Sequence, residues 1–302
     1  MKFGLASTRR AATVLLTSGA VLATGAVTAP AQAQAPALAA AAKKPSIAAK
    51  GGYVMNSGTG SSLYTKGADT RRSTGSTTKI MTARVVLSQK NLNLNRKVTV
   101  QKAYSDYIVR NTASSARLIV GDKVTVRQLL YGMMLPSGCD AAYALADTFG
   151  SGSTRSARVK SFIGKMNTAA KGLGLKNTHF DSFDGIGKGS NYSTPRDLTL
   201  LARDAMKNAT FRSVVSTRST KQKTVTSSGG YRAMNWSNTN PLLGTYSGTT
   251  GIKTGSGPEA KYCLVFAAQR GGKTVVGTVL ASTSSANRTK DAKKLLSYGF
   301  AK

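Results

Sequence analysis

Histidine is almost absent from this chain of 302 residues, because His179 is the only one. A serine hydrolase usually removes the proton of its nucleophile with an imidazole. A Ser-His-Asp site would therefore depend on this single residue. We interpret His179 as a surface or hydrogen-bonded loop residue, and the scarcity of histidine argues against that class of hydrolase.

Cysteine and glutamate are also scarce. The two cysteines, Cys139 and Cys263, are too few to form a disulfide framework for a chain of this length. Two cysteines and one histidine cannot complete a closed zinc site, so we expect no structural metal and no cofactor. Cys263 lies in an apolar segment typical of a small buried side chain. A Cys139–Cys263 disulfide is the alternative to two free thiols.

Acidic residues are few relative to basic ones. Asp and Glu total 11 against 43 Lys and Arg, which gives a formal net charge of +32. Such an excess favours polyanionic surroundings, whether nucleic acid, anionic cell-wall polymer or anionic lipid headgroups. The basic residues are scattered, and we find no zinc-finger spacing or RNP-type aromatic motif. A generally solvated basic surface is the other interpretation.

The first 33 residues have the pattern of a secretory signal peptide. Basic residues near the start precede an apolar, alanine-rich run over residues 11–29, and Ala31-Gln32-Ala33 resembles a cleavage site. Arg9-Arg10 also permits a twin-arginine signal, but the small residues after the pair favour the general route. Export to the extracellular side of the cell membrane argues against a nucleic-acid partner and favours cell-wall polymer.

The order of segments predicts an α/β fold. Residues 34–50 read as a flexible alanine-rich leader, and residues 51–302 as one domain. Strand-like segments near both ends of the domain flank a helical region over residues 96–189. We therefore expect a central antiparallel sheet, built from residues 51–95 and 190–302, flanked by helices and carrying an inserted all-helical subdomain. No second apolar run is long enough to span a membrane.

A serine and a lysine three residues apart provide a route to catalysis without histidine. In Ser76-Thr77-Thr78-Lys79, a helical conformation places the first and last side chains on the same face. The lysine amine can then reach the serine hydroxyl and accept its proton, provided that burial and a second cation favour the neutral amine. Ser76 and Lys79 are therefore the candidate nucleophile and base.

Two more short motifs follow along the chain. Ser137-Gly138-Cys139 comes directly after Pro136, where a loop side chain can enter a cleft, and Lys253-Thr254-Gly255 precedes an apolar strand. Each motif alone is weak, because short Ser, Lys and Gly patterns arise by chance. Their order and their surroundings carry the information.

With these three motifs in this order, the sequence resembles the low-molecular-mass penicillin-binding proteins, the serine D-Ala-D-Ala peptidases. The resemblance extends from about Gly51 to Phe300, through the blocks at residues 120–142, 192–198 and 295–300. It implies a penicillin-binding transpeptidase-like fold. It also implies two ligands, the peptidoglycan stem peptide and β-lactam antibiotics.

The resemblance implies a role for each motif. Ser76 would attack the carbonyl of the penultimate D-Ala, Lys79 would be the general base, and Ser137 would relay a proton to the leaving amine. Lys253 would keep the site electropositive. The residues expected to bind substrate are Cys139, Thr254, Gly255, Ser256 and Arg288, with the backbone N–H groups of Ser76 and Ser256 forming an oxyanion hole.

Cys139 departs from the family pattern, which usually has Asn at this position. A thiol makes poorer hydrogen bonds than an amide, and an actinobacterial subgroup with Ser-Gly-Cys favours transpeptidation over hydrolysis. We expect Lys79 and Lys253 to lower the pKa of Cys139 and make it reactive. The usual Asn-Pro-x-Gly pattern is also lost around residues 181–185.

Two other functions are open alternatives. A serine β-lactamase needs a carboxylate to activate the deacylating water, and the sole glutamate, Glu259, is misplaced for that role. Penicillin should therefore acylate Ser76 and stay bound. A non-catalytic protein that grips anionic cell-wall polymer or a membrane surface through its charge is the second alternative.

Overall fold

The structure, a computed structural model, describes Met1, residues 43–187 and residues 189–302. Apart from Met1, the predicted signal peptide lies outside the described residues, as do residues 34–42 of the predicted leader. No helix in the described ranges is long and apolar enough to cross a membrane.

The described residues form nine strands and eight α-helices. In chain order they are β1 (Gly51–Asn56), β2 (Ser62–Lys66), α1 (Lys79–Leu87), β3 (Lys97–Thr99), α2 (Lys102–Arg110), β4 (Lys123–Thr125), α3 (Val126–Met134), α4 (Cys139–Phe149), α5 (Arg155–Gly172), α6 (Pro195–Ala205), α7 (Ala209–Ser216), β5 (Ser219–Val225), β6 (Tyr231–Ser237), β7 (Thr249–Gly257), β8 (Lys261–Arg270), β9 (Lys273–Ser282) and α8 (Ser285–Phe300).

The main sheet combines strands from both ends of the described chain. Its order is β2-β1-β9-β8-β7, and every neighbouring pair is antiparallel. The first strand pairs with the last, with Gly51 opposite Leu280. The predicted central antiparallel sheet, built from both chain ends, is confirmed.

Alternating side chains bury both faces of this sheet. On β8, Leu264 and Phe266 pack into a cluster with Leu295 and Leu296 of α8. Val265, between them, belongs to the larger cluster with the remaining helices. Successive residues of a strand point to opposite faces, so the sheet lies as a middle layer between α8 and the helical region. This arrangement explains the apolar run of β8.

The chain just before β1 is packed against α8. The backbone N–H groups of Ala48 and Ala49 donate to the two carboxylate oxygens of Asp291 at 3.0 and 2.8 Å, and Ile47 and Ala49 are buried. The packed part of the chain thus begins a few residues before Gly51, inside the segment predicted as a flexible leader. The buried carboxylate accounts for this ordering.

The inserted region is mainly helical but is not all-helical. It also contributes β3 and β4, which join β5 and β6 in a second antiparallel sheet of order β3-β4-β5-β6. Strands of three residues are too short to show a period-two pattern in sequence. Side-chain caps fix two helix starts: Thr194 caps α6 with Pro195 at its first position, and Thr125 and Gln128 form a capping box on α3.

Candidate active site

Ser76 lies in a 3-10 turn, Gly75–Thr78, that leads directly into α1. β7 lies against this turn at a distance that only glycine permits. A Cβ atom on Gly75 would lie 2.9 Å from the carbonyl oxygen of Ser256, and one on Gly255 would lie 2.7 Å from that of Thr74. The two glycines therefore bring the backbone of Ser256 beside that of Ser76.

Lys79 contacts the nucleophile candidate directly. Its Nζ donates to Ser76 Oγ at 2.8 Å, to the Asp184 carbonyl oxygen at 3.2 Å and to Cys139 Sγ at 3.3 Å. The side chain is fully buried at the start of α1. The structure thus brings together the pair that the sequence predicted from its spacing.

The Ser137-Gly138-Cys139 segment forms a tight turn between α3 and α4. Ser137 has a φ of +66°, an unusual value for a residue with a side chain. The turn is held by Ser114, whose hydroxyl donates to the Ser137 carbonyl at 2.6 Å and whose carbonyl accepts from the Cys139 N–H at 2.8 Å. A Cβ on Gly138 would lie 2.6 Å from Ala116, which explains the central glycine.

Cys139 and Cys263 are both free and buried, so the alternative of a disulfide between them is wrong. Burial raises the pKa of the Cys139 thiol, although the neighbouring Lys79 acts in the opposite direction. We expected the lysines to lower this pKa, and that expectation is wrong because desolvation disfavours the thiolate more strongly. Burial also raises the pKa of Cys263, to about 11.

Lys253 and Thr254 lie on β7 and are both buried. Burial, and then the charge of Lys79, lower the pKa of Lys253 well below its usual range. This direction disfavours the permanent positive charge that the family resemblance implied for Lys253. Its Nζ donates to the Thr254 carbonyl oxygen at 3.1 Å. The Thr254 hydroxyl lies 2.7 Å from that of Thr239.

A cleft of about 640 Å³ opens above these residues. Six of the predicted site residues line it: Ser76, Ser137, Thr254, Gly255, Ser256 and Arg288. The Arg288 guanidinium donates to Ser285 Oγ at 3.0 Å, while its buried Nε has no hydrogen-bond partner among the described residues. Lys79, Cys139 and Lys253 do not line the cleft and lie behind its wall.

Several site residues carried no signal in the sequence. Ser114 holds the second motif, Thr239 contacts Thr254, and Asp184 contacts Lys79 through its backbone. Each is far in sequence from the motif that it contacts, and none belongs to a fixed pattern. Only the altered segment at residues 181–185 had been noticed as a departure.

The two residues considered for other mechanisms lie elsewhere. His179 pairs through its backbone with Tyr192 as an isolated bridge, which agrees with a hydrogen-bonded loop residue. Glu259 borders an adjoining cavity of about 230 Å³ but does not line the cleft of Ser76. Across the described ranges, no cluster of three or more His, Cys, Asp or Glu side chains is placed to hold a metal ion.

A buried lysine amine on a serine hydroxyl, at the floor of an open cleft, is typical of serine acyl-transfer enzymes that use no histidine. Residues 38–284 match the family model described as Peptidase_S11, D-alanyl-D-alanine carboxypeptidase. The chain belongs to this family and is a serine-type D-Ala-D-Ala peptidase.

Individual relatives agree with this assignment. The chain is 69% identical over 294 residues to a D-alanyl-D-alanine carboxypeptidase of Streptomyces sp. (strain K15), covering 97% of this chain and 99% of the relative. It superposes on the crystal structure of the Streptomyces K15 DD-transpeptidase with a TM-score of 0.86 and 74% identity, covering 86% of this chain and 100% of that one.

A more distant structure has the same fold. The D-alanyl-D-alanine carboxypeptidase DacD from Francisella tularensis superposes with a TM-score of 0.75 and 28% identity, over 86% of this chain and 72% of that one. The predicted family and fold class are confirmed, and neither a β-lactamase nor a non-catalytic binding protein is supported.

Proposed function

We propose that this peptidase acts on D-Ala-D-Ala ends of peptidoglycan stem peptides through an acyl-enzyme on Ser76. Ser76 Oγ attacks the carbonyl carbon of the penultimate D-Ala while Lys79 Nζ takes the hydroxyl proton. The C–N bond then breaks, and the leaving D-Ala amine receives a proton through Ser137. The observation that carries this assignment is the 2.8 Å contact between Lys79 Nζ and Ser76 Oγ.

The two lysine amines of the site interact electrostatically. Two ammonium groups in one buried site repel each other, so the site stabilises one protonated amine better than two. The lowered pKa of Lys253, caused by burial and by the charge of Lys79, reflects this competition. We assign Lys79 as the base because it is the amine in contact with Ser76.

The remaining cleft residues fit the other parts of the substrate. The adjacent backbones of Ser76 and Ser256 supply two N–H groups for the carbonyl oxygen as it becomes negative. The Thr254 hydroxyl and the unpartnered Nε of Arg288 are donors for the terminal carboxylate. Gly255 contributes by allowing β7 to approach the turn.

We infer that an amine is a better acceptor than water for this acyl-enzyme. Cys139 occupies the position where the family usually has an amide, and its buried thiol is a poor donor and acceptor for ordering a hydrolytic water. Attack by an amine gives transpeptidation, and attack by water gives carboxypeptidation. The relative named a DD-transpeptidase has 74% identity to this chain.

Mass spectrometry of the purified protein after incubation with penicillin tests the mechanism. A stable adduct on Ser76 that is absent from Ser76→Ala is the expected result. Rapid turnover of penicillin would indicate a β-lactamase, and an unmodified wild-type protein would contradict the acyl-enzyme. Adding an amine acceptor to a D-Ala-D-Ala peptide then measures transfer against hydrolysis.

We further propose that the enzyme is exported and held at the cell wall by charge. The signal-peptide pattern of residues 1–33 and the net charge of +32 support this location. One surface is suited to the contact: the outer face of the second sheet exposes Lys97, Lys123, Lys221 and Lys223. None of its four strands contains an acidic residue.

The geometry of this face favours a linear anionic polymer. Neighbouring strands are about 4.8 Å apart and alternate residues about 7 Å apart, so the four lysines form a regularly spaced array on one face. A face that enters a membrane interface carries apolar and aromatic anchors among its lysines. Tyr231 is the one exposed aromatic side chain in these four strands.

Elution from isolated cell walls tests this contact. We expect a variant with all four lysines changed to Gln to elute at lower salt than wild type. The charge-matched control changes Lys90, Lys160, Lys171 and Lys176, which are exposed outside this sheet, and should elute near wild type. Equal shifts would indicate net charge alone. Salt-insensitive binding, or binding only to anionic vesicles, would contradict the proposal.

A further inference from the structure

The loop over residues 181–187 takes part in holding the amine of Lys79. Besides Ser76 and Cys139, the third contact of Lys79 Nζ is the carbonyl oxygen of Asp184, at 3.2 Å. This is a backbone contact, so the direction of the amine depends on where the loop lies. Whatever fixes Asp184 therefore also fixes Lys79.

The side chain of Asp184 anchors this loop. It is fully buried, and its Oδ1 accepts from the N–H of Ile186 at 2.9 Å, within the loop. Its Oδ2 accepts from the phenol hydroxyl of Tyr107 at 2.9 Å. Among the contacts described for this carboxylate, Tyr107 is the one that comes from another element, α2, so it links the loop to the body of the helical region.

The phenol ring of Tyr107 is itself held in place. Its centroid lies 5.4 Å from that of Tyr143 and 5.5 Å from that of Phe183, both at angles usual for packed aromatic rings. Burial, and then the charge of Asp184, raise the pKa of Tyr107, so its hydroxyl remains a proton donor. The donor thus has a fixed position and a fixed protonation state.

The loop also lies directly on the turn that carries the nucleophile. Gly185 has a φ of +96°, and a Cβ on it would lie only 2.0 Å from the carbonyl oxygen of Gly75. A small movement of this loop would therefore displace both the Lys79 amine and the Gly75–Thr78 turn. The distance between Lys79 Nζ and Ser76 Oγ is sensitive to the same movement.

We propose that Tyr107 is a positioning residue for Lys79. Its hydroxyl fixes the Asp184 carboxylate, and through it the carbonyl oxygen that holds the Lys79 amine in line with Ser76. Tyr107 touches neither substrate nor reacting atoms in this scheme. The inference rests on the proposed function, because it assigns Lys79 the role of base.

Tyr104 provides a matched control on the same helix. Its hydroxyl also donates to a buried aspartate, Asp147, at 2.8 Å, and its ring also packs on Tyr143, at 5.0 Å. Asp147 instead forms ion pairs with Arg155 and Arg158. Tyr104→Phe and Tyr107→Phe therefore remove the same group from similar surroundings, but only the second change reaches Lys79.

Stopped-flow acylation by penicillin tests the proposal, because it separates the dissociation constant of the non-covalent complex from the rate constant of acylation. For Tyr107→Phe we expect the rate constant to fall by about 10- to 100-fold, as for a catalytic group misplaced by up to 1 Å. The dissociation constant should not change. Tyr104→Phe should retain the wild-type rate constant.

Asp184 variants provide a second readout that does not depend on one substitution. Asp184→Asn keeps an oxygen that can accept from Tyr107, so its rate constant should lie closer to wild type than that of Asp184→Ala. In the Asp184→Ala background, Tyr107→Phe should cause no further loss, because both changes break the same link. Thermal unfolding of each variant identifies those that are folded.

Three results with an acylated wild type would overturn the role of Tyr107. These are a wild-type rate constant for Tyr107→Phe, equal losses for the two tyrosine variants, or a loss confined to the dissociation constant. Additive losses in the double variant would do the same. Absence of acylation in the wild type would overturn the proposed function itself, and this inference with it.

Discussion

Lys79 Nζ lies 3.3 Å from Cys139 Sγ, in a space that is closed to solvent on both sides of the contact. The amine favours the thiolate, yet burial prevails and the pKa of Cys139 is raised. The proximity of a lysine amine therefore does not suffice to activate a thiol that has lost its water. The chemistry of this cysteine follows from its burial.

Labelling with iodoacetamide checks this balance. We expect Cys139 to be modified in the folded enzyme, slowly at neutral pH and faster as the pH rises above 9, because the raised pKa leaves little thiolate. Cys263, whose pKa is raised to about 11 inside the sheet, should react later. Acylation of Ser76 by penicillin should protect Cys139. Modification of neither thiol, when an unfolded control is labelled, would contradict this order.

Lys253→Met tests the cost of a buried amine. Unfolded Lys253 titrates near 10.5, and the folded residue well below that value. Between these two pKa values the unfolded chain binds more protons than the folded one, so the contribution of Lys253 to the free energy of unfolding rises with pH. Lys253 therefore destabilises the fold most at pH values below its folded pKa, where the buried amine is charged. At those low pH values the variant should unfold at least about 2 °C above wild type, which is the shift that about 1 kcal/mol of added stability produces.

That advantage should shrink as the pH approaches 10.5, while penicillin acylation is impaired at every pH. Thermal unfolding of both proteins across the pH range provides the comparison. A constant difference between their unfolding temperatures would mean that Lys253 does not titrate in this window.

Two glycines with almost the same φ value allow backbone strain to be distinguished from steric crowding. Gly185 and Gly189 have φ values of +96° and +95°, but a Cβ on Gly185 would meet Gly75, whereas nothing lies within 4 Å of one on Gly189. Alanine at either site adds about 1–3 kcal/mol of backbone strain. Only Gly185→Ala should also displace the loop and reduce acylation, by about 100-fold. Similar acylation rates in the two variants would contradict the close approach.

Thr239→Val tests the hydroxyl pair on the cleft wall. The Thr239 hydroxyl lies 2.7 Å from that of Thr254, which we assign to the substrate carboxylate. Its loss should raise KM for a D-Ala-D-Ala peptide by about 10-fold, the effect of about 1.4 kcal/mol, with a smaller change in kcat. Thr239→Ser keeps the hydroxyl and should restore KM. An unchanged KM in the valine variant would show that Thr254 needs no partner.

Elements whose cause is local carry a local signal in the sequence. Thr194 and Pro195 start α6, and the Gly271-Gly272 pair joins β8 to β9. The β5–β6 hairpin was missed because β5 reads Ser-Thr-Lys-Gln-Lys-Thr-Val, which has almost no apolar period. On the inner face of this hairpin β5 contributes only Thr224 to the buried set, and the buried apolar side chains are Met234 and Trp236 of β6.

The site residues likewise fall into those that the sequence predicts and those that only the folded structure shows. Ser76 and Lys79 are neighbours in sequence, so one turn of helix predicts their contact. Asp184 and Thr239 meet their partners only after the chain has folded, and no spacing indicates them. The pKa directions of Cys139 and Lys253 depend on how much water burial removes, which the residue types alone do not specify.

The pairing of the first strand with the last has a consequence for the timing of folding. Gly51 can pair only once Leu280 has been made, and the backbone just before β1 is bound by the Asp291 carboxylate. Pairing between residues so far apart in sequence loses loop-closure entropy before any contact compensates for it, and this slows folding. As the chain emerges from its amino-terminal end, β1 can pair with β2, but its other edge stays unpaired until β9 has been made. The nucleophile turn likewise lacks its neighbour until β7 has been made, about 170 residues after Ser76.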